Sequence, residues 1–262
     1  MVYFCFMTHL ARPLNLKKSL GQHFLKDELV CRKIVDVLKQ NPFHQLLEIG
    51  PGAGALTRSI LDLPGVEFRA VEIDREKVAY LKNLYPGLTG RIIEKDFLQM
   101  EKPFIGPFTI IGNFPYNIST EILFKVLGWR EDVERVIGMF QKEVAQRIAA
   151  SEGNKIYGVT SVLLQAFFEV EYLFEVDAQA FNPPPKVKSA VIRLTPKNES
   201  LPVRTEKMFF LLVKTAFNQR RKTLRNAVKS LFTADTLKDP IFNKRAEQLT
   251  ILQFADLTWK MK

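Results

Sequence analysis

Asn113-Phe114-Pro115-Tyr116 directly follows Phe108–Ile111, an apolar run that reads as a buried strand. By itself the tetrapeptide is an ordinary Asn-x-Pro turn. Its residue types also suit the handling of a weakly nucleophilic amine such as the exocyclic N6 of adenine. The lone pair of that nitrogen is delocalised into the ring, so its two N–H groups need acceptors that favour a pyramidal geometry. The Asn113 side-chain oxygen and the Phe114 carbonyl can supply them. Pro115 restricts the residue before it and helps aim that carbonyl. Tyr116 offers a flat face to a base that has left its helix. Such chemistry needs no general base and no metal, only positioning and electrostatic stabilisation in a water-poor pocket.

A second group of residues could hold a nucleoside. Glu48-Ile49-Gly50-Pro51-Gly52-Ala53-Gly54 follows an apolar run and opens a helical pattern. Glycines there allow a tight turn and a close approach by a ligand. The spacing is GxGxG, not the GxGxxG of a dinucleotide site. Glu72 stands about 20 residues further on, at the end of a second strand, where an acidic residue meets ribose hydroxyls. A nicotinamide cofactor would fit it as well, and so would a solvated strand-end charge beside Asp74. Asp96 follows a third strand and can accept from an adenine amine. Ligands of open sheets bind beyond the carboxyl ends of the strands, so the glycine turn, Glu72 and Asp96 on three successive strand ends describe a nucleoside site.

The elements that must position these groups follow from periodicity. Helices are predicted at Asp27–Lys39, from the glycine turn to about Leu61, and at Arg75–Leu84, Thr120–Leu127, Lys142–Ala150 and Val159–Phe168. Strands are predicted at Gln45–Ile49, Phe68–Ile73, Arg91–Lys95, Phe108–Ile111 and Val133–Phe140. A closing antiparallel pair is predicted at Val170–Val176 and Ala190–Leu194. Alternation of this kind gives an α/β fold, a parallel sheet with helices on both faces. Thr195–Pro202 is polar with two prolines and reads as a linker. Beyond it the pattern is helical, with Glu206–Phe217 and Arg221–Leu231 as the longest stretches. The chain therefore divides into residues 1–197, beginning with a basic arm at 1–26, and a small helical unit at 198–262.

Charge separates the two parts further. Residues 183–262 carry 17 Lys and Arg against 6 Asp and Glu, and residues 1–182 carry 21 against 22. The whole excess of +10 sits in the last third, which suggests a polyanion such as nucleic acid. Arg220, Arg221, Lys222 and Arg225, placed on one predicted helix, are the candidates to grip a phosphate backbone. Cys5 and Cys31 have no metal spacing and read as reduced thiols in a cytoplasmic protein. No apolar run reaches the roughly 20 residues of a membrane helix.

On these residues the chain resembles the small-subunit (16S) rRNA adenine N6,N6-dimethyltransferases, the KsgA/RsmA family. Gly21-Gln22-His23-Phe24-Leu25 is similar to the family's GQNFL motif, Glu48–Thr57 to its glycine motif, and Ile111–Ser119 to its catalytic loop. Glu72-Ile73-Asp74 and Asp96 stand at its acidic positions, and Gln141–Arg147, Tyr157-Gly158, Phe181–Leu194 and Phe217–Asn226 extend the likeness over nearly the whole chain. The resemblance implies a Rossmann-like methyltransferase sheet with a small all-α C-terminal domain, and S-adenosyl-L-methionine as cofactor. Its ligands would be Gln22, His23, Leu25, Gly50, Gly52, Glu72, Asp96 and Asn113. Asn113, Phe114, Pro115, Tyr116 and Phe181 would hold the target base, Phe181 edge-on, although sequence alone reads it as a core aromatic. The implied substrate is a pair of adjacent adenosines in the 3′-terminal hairpin of 16S rRNA, met in the small subunit or its precursor by a monomeric enzyme. The alternatives are a 23S rRNA methyltransferase of the macrolide-resistance type and an assembly factor that only binds. Two positions depart from the family pattern. His23 stands where Asn is usual and Phe114 where Leu is common.

Overall fold

The computed structural model describes residues 23–61 and 63–262. Gln22, Cys5 and most of the basic arm lie outside them. The chain enters through a two-residue strand, β1 (Phe24–Leu25), and a helix, α1 (Glu28–Lys39). Asp27 starts α1 by accepting the N–H groups of Leu29 and Val30 at 2.9 and 3.2 Å. Cys31, Ile34, Val35 and Leu38 form its buried stripe.

The alternating part follows as β2 (Gln45–Ile49), α2 (Ala55–Ile60), β3 (Glu67–Glu72), α3 (Arg75–Leu84), β4 (Ile92–Glu94), β5 (Phe108–Asn113), α4 (Ser119–Leu127), β6 (Val133–Gln141), α5 (Lys142–Ile148) and α6 (Val159–Gln165). Then come β7 (Phe168–Val176), the short β8 (Phe181–Asn182) and β9 (Ser189–Pro196). Seven strands form one sheet in the order β4-β3-β2-β5-β6-β9-β7. β2 to β6 pair in parallel, and β9 runs antiparallel between β6 and β7. The order reverses between β2 and β5, which opens a crevice at their carboxyl ends.

Alternation along each strand sends side chains to two core layers. Leu47, Ile110 and Val136 face α4, α5 and α6, while Leu46, Ile111 and Ile137 face α1, α2 and α3. The first layer continues into the C-terminal helices α7 (Glu206–Asn218), α8 (Leu224–Ala227) and α9 (Ile251–Trp259). Phe167 meets Phe209 and Phe210 there, with ring centroids 6.4 and 6.0 Å apart. Among the described residues no helix is long and apolar enough to cross a membrane.

Several boundaries differ from the periodicity, three of them for a reason the contacts make plain. The helix predicted at Val159–Phe168 stops at Gln165, because Phe168 already pairs with Pro196 in the sheet. The strand predicted to end at Leu194 runs on to Pro196, into the predicted linker. The helix predicted at Arg221–Leu231 shrinks to the four residues of α8. Tertiary contacts claim its ends: the Leu224 N–H goes to the Lys244 carbonyl at 2.7 Å, and the Leu231 carbonyl accepts from Lys262 at 3.2 Å. Arg220, Arg221 and Lys222 therefore lie in the connection between α7 and α8, with Arg225 alone on a helix.

Candidate functional site

A cavity of about 240 Å³ opens at the carboxyl ends of β2, β3 and β5, between the glycine turn and β1. Its lining includes His23, Leu25, Gly50, Gly52, Glu72, Asp96 and the run Asn113–Tyr116. Residues separated by up to 93 positions in the chain thus meet in one place. Phe181 does not line it. Its side chain is fully buried in the layer that holds α1, α2 and α3. Its backbone pairs with Leu25, so it braces the cavity wall from behind.

The glycine turn is shaped to be close to something. Gly50 and Gly52 have φ of +67° and +59°, where only glycine sits without strain. A Cβ on Gly52 would come within 3.2 Å of the Phe24 ring. The aromatic ring of β1 therefore lies on the turn with no room to spare.

Acidic groups define the opposite side. Glu72 is buried at the end of β3, and its Oε1 accepts the Asp74 N–H at 3.0 Å. Lys77 Nζ lies 4.0 Å from its Oε2. Asp96 caps the turn after β4 by accepting the Leu98 N–H at 2.9 Å. Beneath the glycine turn, Glu48 is fully buried and accepts from the Thr57 hydroxyl at 2.7 Å.

Burial pushes the Glu48 carboxyl up to about 7, against the opposing Thr57 hydrogen bond and with a smaller contribution from the charge of Glu72. A raised carboxyl pKa makes the folded state hold its proton more tightly than the unfolded chain. Its cost is absent below the ordinary carboxylate range, grows as pH rises, and is complete above about 7. A shift of this size corresponds to roughly 3 kcal/mol. Unfolding free energies of the cofactor-free protein measured from pH 5 to 8 are expected to show this slope, and Glu48→Gln is expected to flatten it. Parallel curves for the two proteins would refute the assignment.

The Asn113–Tyr116 turn is held from both sides. Asn113 is the last residue of β5, and its Nδ2 donates to the His23 carbonyl at 3.0 Å. No described residue donates to its Oδ1. The Phe114 side chain packs in the core, edge-on to Phe140 at 5.1 Å, which leaves its backbone at the cavity. The turn closes one residue later, with the Ile118 N–H on the Pro115 carbonyl at 3.2 Å. The Tyr116 hydroxyl meets Ser189 Oγ at 2.5 Å, and burial raises its pKa, so it stays a neutral phenol.

His23 shows how its exchange for Asn is accommodated. Its contact with Asn113 runs through the backbone carbonyl, which any residue provides. The imidazole Nδ1 donates to the Pro183 carbonyl at 2.8 Å, and the ring lies 5.5 Å from that of Tyr116. The histidine thus walls the end of the cavity beside the tyrosine. Sequence reasoning named Glu48 and Phe24 only as members of motifs, with no role of their own, and did not name Lys77. The available signal was a lysine in register with Val78 and Leu81 on the apolar stripe of α3.

The sequence matches the family described as ribosomal RNA adenine dimethylase over residues 14–260. It is 54% identical to a ribosomal RNA small subunit methyltransferase A of Cytophaga hutchinsonii, over 94% of this chain and 96% of that protein. The fold is similar to that of a dimethyladenosine transferase from Plasmodium falciparum, with a TM-score of 0.77, 27% identity, and coverage of 90% of this chain and 96% of the other. The 23S rRNA methyltransferase ErmE is similar at a TM-score of 0.65 and 25% identity, over 89% of this chain and 99% of its own.

Proposed function

This chain belongs to the ribosomal RNA adenine dimethylase family, and from that premise we propose how its cavity performs the reaction. The chain is an S-adenosyl-L-methionine-dependent methyltransferase that dimethylates adenine N6 in small-subunit ribosomal RNA. The residues of the cavity suit that cofactor. Glu72 offers a buried carboxylate to ribose hydroxyls, Asp96 an acceptor to an adenine amine, and the glycine turn a close-fitting floor. When bound, the cofactor supplies a methyl group activated by a positively charged sulfur.

The chain's own part is to present the amine. The observation that carries this reading is the pinned amide of Asn113. With Nδ2 committed to the His23 carbonyl, Oδ1 is left to accept one N–H of the target amine. The Phe114 carbonyl accepts the other, its direction set by Pro115. Both acceptors withdraw the nitrogen from conjugation with its ring. Tyr116 and His23, whose rings adjoin each other, wall the end of the cavity where the flipped base stacks. Phe181 acts at one remove, through its pairing with Leu25. Water takes the proton released after transfer.

We assign residues 1–197 to catalysis and 198–262 to holding RNA. Arg221 and Lys222 face solvent and are offered to phosphate. Arg220 is partly committed, to the Lys155 carbonyl and, at 4.0 Å, to Glu247. Arg225 donates to the Leu237 carbonyl at 3.0 Å and keeps the rest of its fork for RNA. The substrate is the pair of adjacent adenosines in the 3′-terminal hairpin of 16S rRNA, approached by a monomer in the cytoplasm.

The test is incubation with labelled cofactor and unmethylated small subunits, followed by digestion of the RNA. N6,N6-dimethyladenosine confined to that hairpin is expected. Label on large-subunit RNA instead would indicate the 23S-type activity, and tight subunit binding without label an assembly factor.

A further inference from the structure

Lys77 occupies a position that physical chemistry disfavours twice. Its side chain is almost fully buried, with 4% of its surface exposed, and burial of an ammonium is costly. It also sits in the first turn of α3, where the helix dipole opposes a cation. A leucine or valine would continue the Val78 and Leu81 stripe at no such cost. Something at this place must use the charge.

Two groups face it. The Glu72 carboxylate lies on one side, with Oε2 4.0 Å from Nζ. The Phe24 ring lies on the other, with its centroid 5.2 Å from Nζ. That ring rests on Gly52 as well, so it spans the glycine turn and the start of α3. All four residues line the same cavity. The ammonium therefore joins the Glu72 carboxylate to the strand that borders the cavity.

We propose that Lys77 is a positioning residue for the cofactor, orienting the Glu72 carboxylate toward the ribose and latching Phe24 of β1 over the cavity. This rests on the functional reading above, which makes Glu72 the ribose ligand. The Asp74 N–H takes Oε1 of Glu72, and the Lys77 charge holds Oε2 on the cavity side. The same charge attracts the face of the Phe24 ring. Closure of β1 and readiness of the ribose site are then two readings of one ammonium. β1 is anchored elsewhere by Leu25–Phe181 pairing and by the His23 contacts, and Lys77 adds a contact at Phe24.

The test is calorimetric titration of S-adenosyl-L-methionine into the full-length protein and its Lys77→Met, Lys77→Arg, Phe24→Leu and double Lys77→Met/Phe24→Leu variants. Lys77→Met is expected to weaken binding roughly tenfold, the equivalent of about 1.4 kcal/mol, and Lys77→Arg to recover most of it. The double variant is expected to lose less than the product of its single losses, because both act through one contact. In steady state the loss should fall on KM for the cofactor more than on kcat. Unchanged affinity in Lys77→Met would overturn the proposal, as would an arginine no better than methionine or fully multiplicative losses. Should Lys77→Met fail to fold, Phe24→Leu decides alone: a several-fold loss supports the latch and no loss overturns it. A wild-type protein that takes up no cofactor overturns the functional reading and this proposal with it, whereas binding that ignores Lys77 overturns the proposal alone.

Discussion

Asn113→Ala is expected to lower kcat by roughly 10²–10³-fold, the loss that follows removal of one preorganised group at the reacting atom. The wild-type geometry explains why the loss is large. The Asn113 amide is held by the His23 carbonyl at 3.0 Å, so its oxygen does not have to be oriented when substrate arrives. Alanine leaves the amine with the Phe114 carbonyl as its one acceptor of the pair, and the nitrogen stays conjugated. Single-turnover rates at saturating cofactor and RNA isolate this effect from binding. The contact to His23 is lost too, so cofactor affinity should also fall, but by less. Asn113→Asp separates the two roles. It keeps an acceptor but cannot donate to His23, and it sets a carboxylate against a carbonyl oxygen. Its larger defect should therefore appear in KM for the cofactor. A kcat for Asn113→Ala within tenfold of wild type would remove Asn113 from the reaction centre.

Glu72→Ala is expected to weaken cofactor binding by about 10²-fold or more. Hydrogen bonds to a charged acceptor contribute about 1.5–3 kcal/mol each, and in the proposed function this carboxylate meets two ribose hydroxyls. The same change takes the carboxylate away from Lys77, whose side chain is 4% exposed. Breaking a buried ion pair from one side costs about 3–5 kcal/mol, so the cofactor-free variant should also melt at a lower temperature. Glu72→Gln distinguishes the contributions, since it keeps the size and one acceptor but not the charge. An affinity unchanged in Glu72→Ala would place the ribose elsewhere in the cavity. Calorimetry for binding and scanning calorimetry for stability read the two effects separately.

Much of this site was legible as sequence because its determinants are local. Gly50 and Gly52 mark a turn through backbone freedom that belongs to glycine itself. Glu72, Asp96 and Asn113 each stand at the end of an apolar run, and strand ends of a parallel sheet share one edge. The alternation of runs 3.6 and 2 residues in period identified the α/β class, and five of the six sheet strands up to β7 begin within one residue of where the periodicity places them.

What the sequence could not decide depended on contacts between distant segments. Nothing local shows that β9 inserts between β6 and β7, because the pairing of strands is chosen by the whole sheet. The helix expected over Arg221–Leu231 has suitable local residues, but Lys244 and Lys262 take its terminal hydrogen-bonding groups and cut it to α8. Phe181 reads as a core aromatic from its neighbours, and only the pairing of Phe181 with Leu25 shows which wall it supports. Lys77 is the sharpest case. Along the chain it is one of many lysines on helices, and its meaning comes from Glu72 on β3 and Phe24 on β1, brought to either side of its ammonium. Periodicity reports which way a side chain faces, but the energy of a buried charge is set by what it faces, and that is assembled only when the chain has folded.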